Sequence, residues 1–545
     1  MKSLKITAIL IVLCGMILPK QAMSYPGEVA RQFKTPGKIP TGLTYDGENL
    51  WMADRKDKVL YAVNPDNGEV VRKISSPAYW PMGLTWDGES LWSADVKGGI
   101  PLSENYNGVV YRVDPDDGTI LHTVRAPTGR PRGLAWDGEY LWCVDNEKNQ
   151  IIQFNPSDGT TIKAFKAPAN DPRGLTYDGQ YLWVTDRTQD EIYMISPRDG
   201  SVIIISEAPG HFTRGITHFG NHLWTVDSQS DALFQLKAKD DTPYRRSNAT
   251  KAQVTYTHQV TNFGPGDVQD LDIHVAIPEN RPNQKIAGDI SYTPNYTDVV
   301  TDQWDQETAH LNRQDIRANE TVEFNMKVDA TLYDVRYFIY PDQVGNLDQV
   351  PQEIKDRYLA NNEKYQYQHP VIQDAVKKAL ADRDTDNPYW MARELFNYLI
   401  DNMYYEMVGG WNTAPAVLER GNGSCSEYAF TYIAMCRSVG IPARYVGALV
   451  IRGDKASLDD VFHRWTEIYL PNFGWVPVDP SGGDRKMPRD QADAIGHLPA
   501  RYLITTQSGG GSETMEWTYN SNDFLITDPK THVVSDNFAD WAPRE

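Results

Sequence analysis

The stretch Gly42-Leu43-Thr44-Tyr45-Asp46-Gly47 returns as Gly83-Leu84-Thr85-Trp86-Asp87-Gly88, Gly133-Leu134-Ala135-Trp136-Asp137-Gly138 and Gly174-Leu175-Thr176-Tyr177-Asp178-Gly179. A weaker fifth copy reads Gly215-Ile216-Thr217-His218-Phe219-Gly220. Successive leading glycines stand 41, 50, 41 and 41 residues apart. A period near 40 built of short apolar runs and Asp-Gly turns signals propeller blades, whereas helical repeats would carry a 3.6-residue apolar period. The longer step places an insertion around residues 97–107. Each copy offers a Gly-Leu strand, a Leu-Trp strand (Trp51, Trp92, Trp142, Trp183, Trp224), an apolar strand and an outer strand. The fifth copy lacks its outer strand, and residues 29–33 resemble the outer strands at 70–74 and 121–124. An N-terminal strand in that place pairs two free edges and closes the ring. Residues 25–240 are therefore expected to form an all-β propeller of five blades.

Within these repeats an Asp follows each Trp by three positions: Asp54, Asp95, Asp145, Asp186 and Asp227. Such a recurrent carboxylate is expected to cap a turn inside its own blade, since buried polar groups are usually satisfied locally. Cys143 takes a place held elsewhere by Met52, Ser93, Val184 and Thr225, which makes it a blade-core residue. Less uniform are Arg132, Arg173 and Arg214, each just before a leading Gly, with Thr41 and Met82 in the other two copies. Equivalent positions on the innermost strands ring the axis. The three guanidinium groups are therefore candidates for binding an anion or an anionic protein group, or each pairs with a neighbouring Asp. The repeat pattern resembles the NHL-like and related sugar- or lyase-type propellers. A metal-dependent lyase centre on the axis is disfavoured, because the leading positions supply Arg, Thr and Met instead of His and Glu.

The 545 residues are 40% apolar and 23% charged, with 34 Pro and 40 Gly, an ordinary globular composition divided among several domains. A net charge of −20 without a basic run argues against nucleic acid and anionic membranes as partners. Lys2 and Lys5 precede an apolar run at 6–18, and Ala22-Met23-Ser24 offers small residues at a cleavage site. This is the layout of a secretory signal peptide over 1–24, and the run is too short to span a bilayer. A periplasmic or extracellular protein is expected. Outside that segment stand Cys143, Cys425 and Cys436, an odd number. Cys425 and Cys436 lie 11 apart on one expected helix. A rise of about 16 Å between them forbids a disulfide.

From Gln253 the pattern turns to alternation, with Val254, Tyr256, His258 and Val260 on one face, and 245–345 is expected to be a β-sandwich spacer. Helical stripes follow, at Ile372, Ala375, Val376, Ala379 and Leu380, then at Ala392, Leu395, Phe396 and Leu399. Gly421-Asn422-Gly423-Ser424-Cys425-Ser426-Glu427-Tyr428-Ala429 reads as a Gly-rich turn entering an apolar helix. Cys425 then sits at a helix start, where the dipole and free N–H groups favour a thiolate and can stabilise an oxyanion. His463 lies in an alternating strand, and Gly474-Trp475-Val476-Pro477-Val478-Asp479-Pro480 ends another on a carboxylate. Adjacent antiparallel strands can hold the Asp against the imidazole and the imidazole against the thiol.

These three motifs, Gly-x-Cys-x-Glu-Tyr-Ala, His-x-Trp and Gly-Trp-x-Pro-x-Asp-Pro, resemble the transglutaminase-like, papain-related superfamily over about residues 390–482. The resemblance implies an α+β papain-like core; the catalytic domain is expected at 346–505, with a C-terminal extension at 506–545. It also implies a triad of Cys425 as nucleophile, His463 as base and acid, and Asp479 as orienting group; no cofactor or metal site is assigned from the sequence. The family usually places a small residue after its His, and Arg464 departs from that. Its additional oxyanion donor is often an upstream aromatic, with Tyr404, Tyr405 and Trp411 as candidates. The expected function is a cysteine hydrolase or acyltransferase acting on amide bonds of proteins or peptides, with the propeller as recognition module. The alternative is a non-catalytic periplasmic or surface protein-binding scaffold.

Overall fold

The structure, a computed structural model, describes residues 25–96, 108–239, 242–407, 411–453 and 457–543. The expected signal peptide and the insertion at 97–107 lie outside these residues. The chain is mostly β, with few helices. Among the described residues no helix is long and apolar enough to cross a membrane.

Residues 29–237 form five four-stranded antiparallel sheets. The first four each take four consecutive strands, and the fifth joins strands Thr213–Phe219, His222–Asp227 and Ala232–Lys237 to the N-terminal strand Val29–Lys34. The N-terminal strand pairs antiparallel with Ala232–Lys237, which gives the fifth copy its missing edge. The innermost strands touch in sequence around a closed ring, Pro40–Tyr45 also meeting Thr213–Phe219. Glycine is required there by close approach: a Cβ on Gly42 would lie 2.7 Å from Leu84 N, and one on Gly215 would lie 2.7 Å from Leu43 N.

Two carboxylates hold the turns in each of the first four copies, and one in the fifth. Asp46 Oδ1 accepts from the N–H groups of Glu48 and Asn49, and its Oδ2 accepts from Trp51 Nε1 at 2.7 Å. Asp87, Asp137 and Asp178 take Trp92, Trp142 and Trp183 in the same way. The fifth copy has Phe219 at that place; its ring stacks 5.7 Å from Trp224, whose Nε1 is left without a hydrogen-bond partner. The carboxylate that follows each Trp also acts locally. Asp54 accepts from the N–H groups of Ile39, Lys56 and Asp57, Asp227 from those of Phe212, Gln229 and Ser230, and Asp95 from Trp80.

Beyond the ring, strands Tyr244–Asn262 and Thr321–Tyr337 pair along most of their length at the centre of a seven-stranded sheet. A four-stranded sheet shares its core, in which Val254, Tyr256 and Val260 meet Leu271, Ile273 and Phe324. The C-terminal residues do not form a separate extension. Strand Val533–Pro543 pairs with Tyr244–Asn262, and Ser521–Thr527 pairs with Val268–Ala276. Strand Ser457–Asp459 also joins this layer through Val533–Pro543. Alternation along 253–260 was readable, but one partner strand lies roughly 60–80 residues away and the other more than 250, and an alternating pattern carries no information about them.

The last module sets helix Cys425–Ser438 against a four-stranded sheet ordered Gly474–Val478, His463–Leu470, Ala443–Val450 and Tyr502–Ser508. The helix is buried from Cys425 to Arg437, on all sides, which explains its lack of a polar stripe. Helices Pro370–Ala379 and Pro388–Asn402 cover it. The module is seated on the ring by charge-assisted bonds, Arg489 to Glu191 at 2.7 Å and Arg393 Nη1 to Val202 O at 2.9 Å.

Candidate active site

The turn before Cys425 is organised by one buried carboxylate. Glu427, fully enclosed, accepts from Ser424 N (3.1 Å), Asn412 Nδ2 (2.9 Å) and Arg420 Nη2 (2.8 Å). Ser424 has extended backbone before the helix begins, and the reciprocal Ser-x-x-Glu pattern satisfies a helix-start N–H. Cys425 thereby stands in the first turn with 8% of its surface exposed.

Strands His463–Leu470 and Gly474–Val478 are antiparallel neighbours, with Thr466 opposite Val478. That register brings Asp479, one residue beyond the second strand, to His463 at the start of the first. His463 Nε2 donates to Asp479 Oδ2 at 2.8 Å, while Asp479 Oδ1 accepts from Ser481 Oγ (2.8 Å) and Gly482 N (3.0 Å). Cys425 stands close enough to His463 for the imidazole to act on the thiol. With Nε2 taken by the carboxylate, Nδ1 is the nitrogen left for sulfur. The structure thus brings Cys425, His463 and Asp479 together, with His463 hydrogen-bonded to Asp479.

The electrostatics favour separated charge. Burial by itself raises the Cys425 thiol. The hydrogen bond and charge of His463, the backbone N–H of Arg464 and its guanidinium overturn that effect and leave the thiol below its ordinary value. Burial disfavours a charged His463, yet the charge and hydrogen bond of Asp479 hold the imidazole well above its usual range. Burial likewise opposes an ionised Asp479, and His463, Gly482 and Ser481 outweigh it to keep the carboxyl low. Cys143 and Cys436 behave oppositely: both are buried, and burial pushes both thiols up.

Arg464 explains its own departure from the small residue expected after His463. Its side chain is completely buried, with the guanidinium carbon 4.2 Å from the Tyr519 ring centre, 4.5 Å from Tyr445, 4.8 Å from Trp411 and 5.0 Å from Phe430. Nη2 donates to Trp517 O at 2.7 Å, while Nε and Nη1 have no hydrogen-bond partner. Aromatic faces stabilise such a cation in place of water. A permanent positive charge is thus fixed beside the thiol.

The three upstream aromatics separate in space. Tyr405 lines a cleft of about 240 Å³ with His463, Asp479 and Tyr502. The Tyr404 hydroxyl accepts from Asn422 Nδ2, and Trp411 packs on Arg464. Arg452, Arg485 and Arg501 line the same cleft, and Asp484 is its carboxylate besides Asp479. Tyr519 also neighbours the thiol. It lies far along the chain from all three motifs, and no sequence signal marked it. Arg132, Arg173 and Arg214 lie together on the ring, at a separate place from this cleft. Among the described residues no group of three or more His, Cys, Asp or Glu side chains is placed to hold a metal ion.

The family described as the transglutaminase-like superfamily matches residues 375–480. Uncharacterized protein YebA of Bacillus subtilis (strain 168) is 24% identical over 243 residues, 42% of this chain and 29% of the relative, so the match spans under a third of that protein's length. A Cytophaga hutchinsonii structure, named provisionally as a cysteine protease, is 15% identical with a TM-score of 0.37, covering 54% of this chain and 92% of its own. Glutaminyl cyclase of Myxococcus xanthus is 15% identical with a TM-score of 0.34, covering 39% and 97%. Virginiamycin B lyase of Staphylococcus aureus is 23% identical with a TM-score of 0.24, covering 37% and 66%. The thiol at the helix start, the His strand and the Asp strand all fall within the matched segment, and this chain carries a transglutaminase-like domain at residues 375–480.

Proposed function

We propose that this chain is an exported cysteine enzyme that cleaves or exchanges amide bonds of proteins or peptides through an acyl-enzyme. A transglutaminase-like domain points to cysteine-type acyl transfer or peptidase chemistry in general, and the meeting of Cys425 with His463, itself hydrogen-bonded to Asp479, is the observation that carries the finer reading. The Cys425 thiolate adds to the carbonyl carbon. N–H groups at the helix start receive the negative charge that builds on oxygen, and Tyr405 stands on the cleft side. Imidazolium His463 gives its proton to the departing nitrogen as the C–N bond breaks, leaving a thioester. Water or an amine then attacks, His463 takes the incoming proton, and the thiolate is released. Asp479 holds the imidazole throughout.

Three arginines facing the cleft favour acyl donors that carry negative charge. The five sheets are read as blades of a five-bladed propeller that recognises or positions a partner, and the two facing sheets as a sandwich spacer. The glycine ring and the closing N-terminal strand support that reading. Export rests on the sequence of residues 1–24.

The test is activity-based labelling and turnover of wild type and Cys425→Ala on peptide amides, with and without an amine acceptor. Release of acid alone assigns a peptidase or amidase, and amine incorporation assigns an acyltransferase. An unreactive Cys425, indifferent to loss of His463, would leave a binding scaffold.

A further inference from the structure

The residue just before the imidazole has an unusual backbone. Phe462 has a φ of +56°, in the left-handed region. A bulky residue rarely takes that conformation, which persists only where the surroundings over-determine it. Among the described residues Phe462 is the one aromatic residue with positive φ, and most of the others besides glycine are Asn or Asp.

The sandwich supplies what holds it. The Phe462 ring is buried in the sandwich core, 5.7 Å from the ring centre of Tyr256 and 6.4 Å from that of Tyr519. Both of its backbone groups are tied as well. The N–H donates to Asp459 Oδ1 (3.2 Å), and the carbonyl accepts from Arg452 Nη2 (3.1 Å). Asp459 is fully enclosed; its Oδ1 also accepts from Arg452 Nε (2.7 Å), and its Oδ2 accepts from Val450 N (2.8 Å). Asp459 stands opposite Ala539 of the C-terminal strand, and Ala539 stands opposite Tyr256. One row of the seven-stranded sheet, Tyr256, Ala539 and Asp459, thus grips Phe462 by its ring and by its N–H.

The next residue, His463, opens its strand opposite Ala448. The rings of Tyr502 (5.6 Å) and Trp465 (5.7 Å) stack near the imidazole, and Asp479 accepts from it. These contacts fix the tilt of the ring, whereas the backbone of Phe462 fixes where the side chain starts. Relaxation of Phe462 to an ordinary φ would re-aim the peptide that carries His463.

We propose that Phe462 is a positioning residue for the reaction at Cys425: anchored in the sandwich, it sets the place of His463 between the thiol and Asp479. The inference rests on the reading of Cys425 and His463 as reacting groups. It goes beyond that reading by giving the sandwich a part in the chemistry as well as a spacing role.

The experiment follows two signals in the folded full chain. One is iodoacetamide alkylation of Cys425 across pH, with Cys425→Ala as blank. The other is the NMR titration of His463 in histidine-labelled protein, its signal identified by its loss in His463→Gln. Phe462→Ala alkylates near neutrality at least about tenfold more slowly than wild type, the scale of a misplaced reacting group. Its His463 titrates at lower pH, because the imidazole has moved off Asp479. Phe462→Leu, which keeps an apolar anchor, stays close to wild type in both signals. Phe462→Val keeps that anchor but is β-branched and resists positive φ, so it follows Phe462→Ala and replaces it should Phe462→Ala fail to fold. Phe324→Leu, a truncation in the same core, lowers the melting temperature and leaves both signals in place. Unchanged alkylation and titration in folded Phe462→Ala or Phe462→Val overturn the proposal, as do equal losses in Phe324→Leu. An unreactive Cys425 in wild type defeats the acyl-enzyme reading instead, while the titration of His463 still decides whether Phe462 places the imidazole.

Discussion

Replacing Asp479 by Asn keeps the shape of the side chain and removes its charge. The amide oxygen can still accept from Ser481 Oγ and Gly482 N, but the amide nitrogen then faces His463 Nε2. An N–H donor there makes Nε2 an acceptor and puts the ring proton on Nδ1, towards Cys425, where a base is needed. Loss of the carboxylate also withdraws the charge that holds the imidazole well above its usual value. A hydrogen bond to a charged group contributes about 1.5–3 kcal/mol. The His463 pKa therefore falls and the Cys425 thiol rises. The assay is the rate of iodoacetamide alkylation across pH, with Cys425→Ala as blank; Cys143 and Cys436 are buried thiols pushed up by that burial. The alkylation midpoint of Asp479→Asn moves up, and turnover near neutrality drops roughly 10–100-fold. An unchanged midpoint in a folded variant refutes the claim that Asp479 polarises the pair.

Gly133→Ala forces a Cβ to within 2.6 Å of the Gly174 carbonyl carbon, against backbone that cannot rotate away. It lowers unfolding free energy by about 1–3 kcal/mol in urea titration, and a silent substitution would deny the close ring contact. Peptide donors with Asp or Glu beside the reacting residue show a kcat/KM advantage of about two- to fivefold per charge, which shrinks in high salt and in Arg485→Gln. Equal rates for neutral and acidic donors would remove the cleft arginines from recognition. Finally, His274 stacks 4.6 Å from His310 and is pushed down to about 4 by burial and by that neighbour, with Thr308, Phe524, Asp272 and Asp298 around the pair. Its contribution to stability is complete above the unfolded value near 6.5 and is lost as pH falls towards 4. His310, raised by the hydrogen bonds of Asp272 and Asp298 against the effect of its own burial, contributes with the opposite sign. Unfolding free energies from pH 4 to 7 therefore fall less steeply on the acid side for His274→Phe than for wild type; identical slopes would contradict the assignment.

Much of the ring was legible because each repeat is a local event. Asp46 reaches Glu48, Asn49 and Trp51 within five residues, and a turn of that kind leaves the same letters in every copy. The unpaired edge of the fifth copy and the spare strand at 29–33 are likewise complementary within the repeat pattern. Cys425, His463 and Asp479 were legible as an ordered set of motifs. The cage of Arg464 was not: Trp411, Phe430, Tyr445 and Tyr519 come from four separate stretches, and no residue nearby in sequence discloses that a guanidinium is enclosed. The same holds for Glu427, whose motif position was visible while its hold on Asn412 and Arg420 was not.

The amino-acid sequence alone determined the 41-residue repeat, its glycine-lined inner strands and the Cys, His and Asp motifs of the last module, because short-range turns and strand alternation write themselves into neighbouring positions. Tertiary structure alone decided that 521–543 completes sheets begun at 244–276, that Arg464 sits desolvated beside the thiol, and that arginines from separate copies share one cavity. Strand partners and charge environments arise where distant segments exclude water together, and that meeting is a property of the packed chain.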